Sequence, residues 1–230
     1  MTDQPQPLAP GVYGVIGPNV NAYLLDDAGS LVLIDAGMPG SASRILALID
    51  SLGRAPGDVT HILITHADID HVGGLKPLAD ATGATVVASA ESARYIRKRR
   101  NPPHLGFPAN VFSNVVSFLA RRAAPVGRVV ADGDVLDIAG GIRVIATPGH
   151  TPDHVSYFWE RERVLFAGDL LNMRDGLNVT PPRITWDTAA ARRSVQGVAA
   201  LAPAIICVGH GPVWRAEDDP GRLEALSQLP

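Results

Sequence analysis

The segment His66-Ala67-Asp68-Ile69-Asp70-His71 places four ionisable side chains in six residues, directly after the apolar run Thr60-His61-Ile62-Leu63-Ile64-Thr65. That run has the length and composition of a buried strand. A loop leaving its carboxyl end is held by the sheet, yet its imidazoles and carboxylates cannot enter a core without compensation. They either face solvent or converge on a cation. Gly73-Gly74 follow and open a helix expected to run to about Ala81.

The same placement recurs along the chain. His150 stands in Thr147-Pro148-Gly149-His150, Asp169 in Gly168-Asp169 and His210 in Gly209-His210-Gly211, each after an apolar stretch. One histidine after a strand is ordinarily a loop residue. Four, with glycine flanking three of the segments, point to a shared site, because glycine permits tight turns and close backbone approach. Imidazole nitrogen and carboxylate oxygen bind zinc, iron or manganese with positions left for water, and a carboxylate such as Asp169 can bridge two ions.

These motifs, in this order and together with Leu33-Ile34-Asp35-Ala36-Gly37 near the start, resemble the metallo-β-lactamase-fold superfamily over nearly the whole chain. The resemblance implies an α/β fold, a four-layer αββα sandwich of the metallo-β-lactamase type with a dinuclear site at one edge of its sheets. By position it implies His66 and His150 at one metal, Asp70, His71 and His210 at the other, and Asp169 between them. One departure stands out: Asp68 occupies a place where the usual motif has a second histidine. It is read as an oxygen ligand of the first metal, against the alternative of a solvated loop carboxylate, and it makes that site more anionic. The expected cofactors are two divalent ions, zinc first, with iron or manganese as alternatives.

Around these motifs the chain alternates strands and helices. Gly11 to Gly17, Asn21 to Asp26 and Ser30 to Asp35 read as a β-meander with a hairpin at Asp26-Asp27-Ala28-Gly29. Ser41 to Leu52 reads as a helix capped by Ser41 and ended by Gly53, with Ile45, Leu48, Ile49 and Leu52 on one face. After a strand at Thr85 to Ala90, residues 91–127 break the rhythm with a basic run Arg97-Lys98-Arg99-Arg100, Pro102-Pro103 and an amphipathic stretch, and are read as a helical lid. Strands resume at Arg128, Val135, Ile142, Ser156 and Val164. A helix from Asp187 to about Leu201, a strand Ala204 to Val208 and a terminal helix from about Glu217 follow. No linker divides residues 1–230, which predicts one domain.

Charge narrows the function. Twenty basic against 23 acidic residues leave a net charge of −3, so no positive field exists to hold a nucleic acid or an anionic membrane. Met1-Thr2-Asp3-Gln4-Pro5-Gln6-Pro7 lacks a signal-like pattern and no run of about 18 apolar residues occurs, so the expected location is the cytoplasm. The single cysteine, Cys207, lies in an apolar strand, and there is no Gly-x-Ser-x-Gly elbow. Both leave a metal-bound hydroxide as the expected nucleophile, with Asp70 as the catalytic residue that returns a proton to the leaving group and a metal-bound water as the alternative. The expected substrate is a small ester, lactone or thioester. The alternatives are an iron-dependent oxidoreductase of the same fold, a phosphodiesterase, or a silent metal-binding domain.

Other residues carry weaker signals. Asp35 either orients a metal-binding loop or caps a turn. His61, His104 and His154 read as packed or hydrogen-bonded, with substrate contact an alternative for the last two. Arg97 to Arg100 read as a solvated helix face. The apolar residues Phe107, Val111, Phe112, Val115, Val116, Phe118 and Leu119 could pack, line a pocket or form a homodimer contact.

Overall fold

The computed structural model describes residues 6–17, 20–27 and 29–229. Of the sequence features above, Met1 to Pro5 and Ala28 of the hairpin turn lie outside them. Two six-stranded sheets stack face to face. The first holds β1 (Val12–Ile16), β2 (Asn21–Asp27), β3 (Ser30–Ile34), β4 (Val59–Leu63), β5 (Thr85–Ser89) and β6 (Arg128–Val130), in that order. β1 to β3 form the antiparallel meander, and β3 to β6 run parallel. The second sheet has the order β14 (Trp214–Arg215), β13 (Ile205–Val208), β10 (Val164–Gly168), β9 (Val155–Trp159), β8 (Ile142–Ala146) and β7 (Val135–Leu136). β11 (Leu171–Asn172) and β12 (Asn178–Val179) make a separate hairpin.

Three apolar layers hold the stack. Between the sheets, Tyr23, Leu25, Val32, Ile34 and Leu63 of the first meet Val144, Tyr157, Trp159, Phe166 and Cys207 of the second. The alternate residues Leu24, Leu31, Leu33 and Ile62 face outward onto α1 (Ala42–Ser51), α3 (Leu75–Thr82) and α4 (Ala90–Lys98). On the far side, Leu165, Ile206 and Val208 pack against α6 (Thr188–Ala199) and α7 (Arg222–Ser227). Strands covered on both faces must be apolar at successive positions, which is why they read as continuous hydrophobic runs. Each buried Leu, Ile or Val contributes about 1.5–3 kcal/mol. This is the expected αββα sandwich.

Some boundaries differ from expectation. Ser41 precedes α1 but its side chain makes no capping bond, because its own backbone is already helical (φ −71°, ψ −18°) and the hydroxyl is poorly placed for the first-turn amides. Asp187 does cap α6, accepting from the Ala190 amide. The terminal helix starts at Arg222, after Gly221 in a left-handed turn (φ +81°), and not at Glu217. Residues 91–127 contain all of α4 but its first residue, and all of α5 (Ala109–Ala120). α4 belongs partly to the body, since its Ser92 and Ile96 are buried. Among the described residues no helix is long and apolar enough to cross a membrane.

Candidate metal centre

The loops leaving the carboxyl ends of β3, β4, β8, β10 and β13 meet at one edge of the sandwich. Backbone bonds between them fix their spacing: Val155 N donates to Thr65 O, Gly209 N to Gly168 O, and Asn21 N to Gly209 O. On these loops the seven residues singled out in the sequence converge. Three overlapping groups, His66/Asp68/His150, His66/His71/Asp169 and Asp70/His71/His210, each bring their ligand-type atoms within 4.8 Å of one another. The last three residues of the histidine- and aspartate-rich segment, with Val72, form a single helical turn, α2 (Ile69–Val72), which aims Asp70 and His71 at the cluster.

The contacts are short and buried. His150 Nε2 lies 3.2 Å from Asp68 Oδ2 and His66 Nε2 lies 3.6 Å from it. His71 Nε2 is 3.3 Å from Asp169 Oδ1, and His210 Nε2 is 3.0 Å from Asp169 Oδ2 and 3.6 Å from Asp70 Oδ2. Asp169 thus stands between the two ends of the cluster, where the resemblance implies a bridge. Asp68 turns inward toward His66 and His150.

The outer nitrogens set the tautomers. His71 Nδ1 donates to Asp35 Oδ2 at 2.8 Å, and His150 Nδ1 donates to the Ile184 carbonyl at 2.7 Å. Thr65 Oγ1 donates to Asp35 Oδ2 at 2.8 Å, so it can accept from His66 Nδ1 at 3.0 Å. Neutral rings held this way direct Nε2 lone pairs at carboxylate oxygens, which repel unless a cation lies between them. The Nε2 atoms of His66 and His71, with Asp68 Oδ1 and Asp169 Oδ1, are buried without a hydrogen-bond partner. The donor set therefore fits divalent metal ions.

Electrostatics agree. Burial disfavours an ionised Asp68, but the imidazoles of His150, His66 and His104 around it, which can share a proton or a cation with it, outweigh burial and hold the carboxyl far below its ordinary range. Burial likewise opposes charging His71, His150 and His210, yet the surrounding aspartates raise all three above the usual imidazole value. The pull that attracts a proton there would attract a metal cation.

Further residues brace the cluster. Asp35 accepts from the Thr65 amide and hydroxyl as well as from His71, so it orients two loops and is more than a turn cap. His154 is hydrogen-bonded, as expected: its Nε2 accepts from the Asp169 amide at 3.0 Å and its Nδ1 meets Thr147 Oγ1 at 2.8 Å. His104, from the segment joining α4 to α5, comes within 3.4 Å of Asp68 Oδ1 and lies against the His150 ring at 4.9 Å. Arg121 and Asp153 were not foreseen. Arg121 Nη1 donates to the Ala67 carbonyl at 2.9 Å, and Asp153 Oδ2 accepts from the Ala67 amide at 3.0 Å and from Ser92 Oγ at 2.6 Å. The signal for Asp153 was its place beside His154, three residues after His150; Arg121 gives no local sign of its burial. Gly209 must lack a side chain, since a Cβ there would stand 2.0 Å from Asp169 Oδ1.

Comparison with known proteins gives concordant results. A family model described as the metallo-beta-lactamase superfamily matches residues 15–210. The chain is 28% identical over 224 residues to the probable metallo-hydrolase YflN of Bacillus subtilis (strain 168), covering 88% of this chain and 84% of that one. It is 29% identical over 172 residues to a hydroxyacylglutathione hydrolase of Methylobacterium sp. (strain 4-46), covering 73% of this chain and 54% of the other. Among solved structures it resembles a metallo-beta-lactamase of Cronobacter sakazakii described by a HARLDQ motif, with a TM-score of 0.71 and 26% identity over 89% of this chain and 72% of that chain.

Proposed function

The chain belongs to the metallo-β-lactamase superfamily, and on that premise we propose that it is a hydrolase with two divalent metal ions, zinc first, acting on a small ester, lactone or thioester. The observation that carries this reading is the set of histidine Nε2 atoms aimed at carboxylate oxygens with their Nδ1 atoms already engaged. His66, Asp68 and His150 would hold one ion, Asp70, His71 and His210 the other, with Asp169 shared. When bound, such ions supply a water acidic enough to be nucleophilic near neutral pH and a Lewis acid for the developing oxyanion. No side-chain nucleophile is needed, and burial pushes the Cys207 thiol far above its ordinary value.

The protein's own groups do the rest. Asp35, Thr65 and the Ile184 carbonyl fix the histidine tautomers. Asp70 is the most exposed carboxylate of the cluster, its side chain 27% accessible, which supports a role in taking the proton of the attacking water and passing it to the leaving group. A cavity of about 80 Å³ reaches Asp169 and His210, which suits a small acyl group. The acyl substrate in the name of the Methylobacterium relative supports the same chemistry.

The test is metal analysis of protein purified without added metal, followed by rate measurements on a panel of esters, lactones, thioesters and phosphodiesters before and after chelation. The expected result is about two ions per chain and chelator-sensitive turnover of a small acyl substrate, strongly reduced in Asp70→Ala. Stoichiometric iron with oxygen uptake, or tight metal binding with no turnover on the whole panel, would overturn it.

A further inference from the structure

His104 reaches the cluster from the segment joining α4 to α5. Pro103, Gly106 and Phe107 around it are exposed, yet its side chain is only 8% accessible. The segment is fastened at its start: the Asn101 amide donates to Asn114 Oδ1 at 3.0 Å, the Asn101 side chain donates to Ser113 Oγ, and Arg121 holds the Arg100 carbonyl. The imidazole lies against the His150 ring at 4.9 Å, with Nδ1 3.1 Å from the Pro102 carbonyl and 3.4 Å from Asp68 Oδ1. A carbonyl only accepts, so Nδ1 carries the proton.

The two oxygens of Asp68 have different surroundings. Oδ2 lies 3.2 Å from His150 Nε2 and 3.6 Å from His66 Nε2, whereas Oδ1 is buried without a hydrogen bond. His66 and His150 each have an outer partner, on Thr65 and Ile184, that fixes the ring. A carboxylate ligand needs such a partner as much as an imidazole does. We propose that His104 is a positioning residue of the first metal site. Its Nδ1–H, shared between the Pro102 carbonyl and Asp68 Oδ1, holds the carboxylate with Oδ2 turned toward His66 and His150, since one N–H can serve two acceptors. Asp68 stands where the usual motif has a histidine, and a carboxylate, unlike an imidazole, can present either of two equivalent oxygens. His104 removes that freedom from a separate part of the chain. The affinity of the first ion therefore depends on how the segment before α5 is seated.

Chelator competition with zinc on the full chain, read for both ions, tests this together with the visible absorption of the cobalt-loaded protein. His104→Phe keeps a ring against His150 and removes the donor, whereas His104→Gln restores an N–H. The expected result is one of the two affinities lowered about 10- to 100-fold in His104→Phe, the other unchanged, an altered cobalt spectrum, and recovery in His104→Gln. Asp68→Ala completes a double-mutant cycle: adding His104→Phe to it should cost no further affinity, because the group on which His104 acts is gone. Circular dichroism checks folding, and His104→Ala gives the same comparison if the larger ring unfolds the segment. Additive losses in the cycle would make His104 a packing residue and overturn the inference. It rests on the two-ion reading above: a wild type that binds no zinc overturns both, whereas two ions held equally well by wild type and His104→Phe overturn this inference alone.

Discussion

The guanidinium of Arg121 donates to the carbonyl of Ala67 at 2.9 Å, joining the end of α5 to the residue between His66 and Asp68 of the cluster. Asp153 holds the amide of the same residue, so the backbone of Ala67 is gripped on both sides. Replacing Arg121 with Met leaves the buried Ala67 carbonyl without this donor and removes the bonds to the part-buried Tyr95 and Arg100 carbonyls, at a cost of about 1–3 kcal/mol. Urea denaturation measures that loss. Metal titration of the still-folded variant should show weakened binding, and a variant with wild-type metal affinity would limit Arg121 to a role in stability.

Asp35 fixes the proton of His71 on Nδ1. In Asp35→Asn the side-chain amide can present its NH₂ to that nitrogen, which moves the ring proton to Nε2 and removes the lone pair aimed at Asp169. Metal affinity should fall about 10- to 100-fold, read by competition with a chromogenic chelator. Unchanged affinity would mean that the tautomer of His71 is set elsewhere.

At Gly209 the decisive quantity is space. Gly209→Ala drives a methyl group into Asp169 and the His71 ring, 2.0 Å and 2.8 Å from the Cβ position. The carboxylate must swing away, so metal stoichiometry and turnover should both collapse while the strands and helices away from this loop keep their far-UV signature. Full metal loading in this variant would contradict the close packing.

His154 supplies the pH prediction. Burial, then the neighbouring His66 and His150, depress its value well below that of a free imidazole. Above the unfolded value near 6.5, His154 is neutral in both states and its contribution is intact. As pH falls below that point the unfolded chain takes up a proton that the folded chain refuses, so stability is lost toward acid. The stability gap between wild type and His154→Asn, measured in urea on metal-free protein, should narrow as pH is lowered from 8 toward 5. A constant gap would mean that His154 is charged in the fold.

The seven cluster residues were legible in the sequence because their placement is a local pattern, directly after apolar strands in short, mostly glycine-flanked turns. The strands themselves read as unbroken apolar runs, but their stacking into the layered sandwich came from the resemblance that the ordered motifs carry. Arg121 was not legible, because its partner at the cluster is the backbone of Ala67, 54 residues away, and a main-chain partner leaves no mark in the sequence; Asp153 had only its place beside His154 to mark it, its partners Ser92 and Ala67 lying 61 and 86 residues away. Ser41 misled for the opposite reason: the residue type suits a cap, but the backbone there is already helical. The region 91–127 was read as a single helical lid, whereas α4 shares the core through Ile96 and α5 stands apart from it.

The cluster draws on loops of both sheets, with contributors running from His66 to His210. No short fragment of the chain contains a complete pair of these groups. Contacts so distant along the chain form slowly, after local helices and hairpins are in place. Metal capture must therefore be a late event in folding, a seal on a nearly native molecule and not a nucleus for it. Refolding in a chelator should proceed with the same main kinetic phase as refolding with metal present, the ion slowing only the return to the unfolded state.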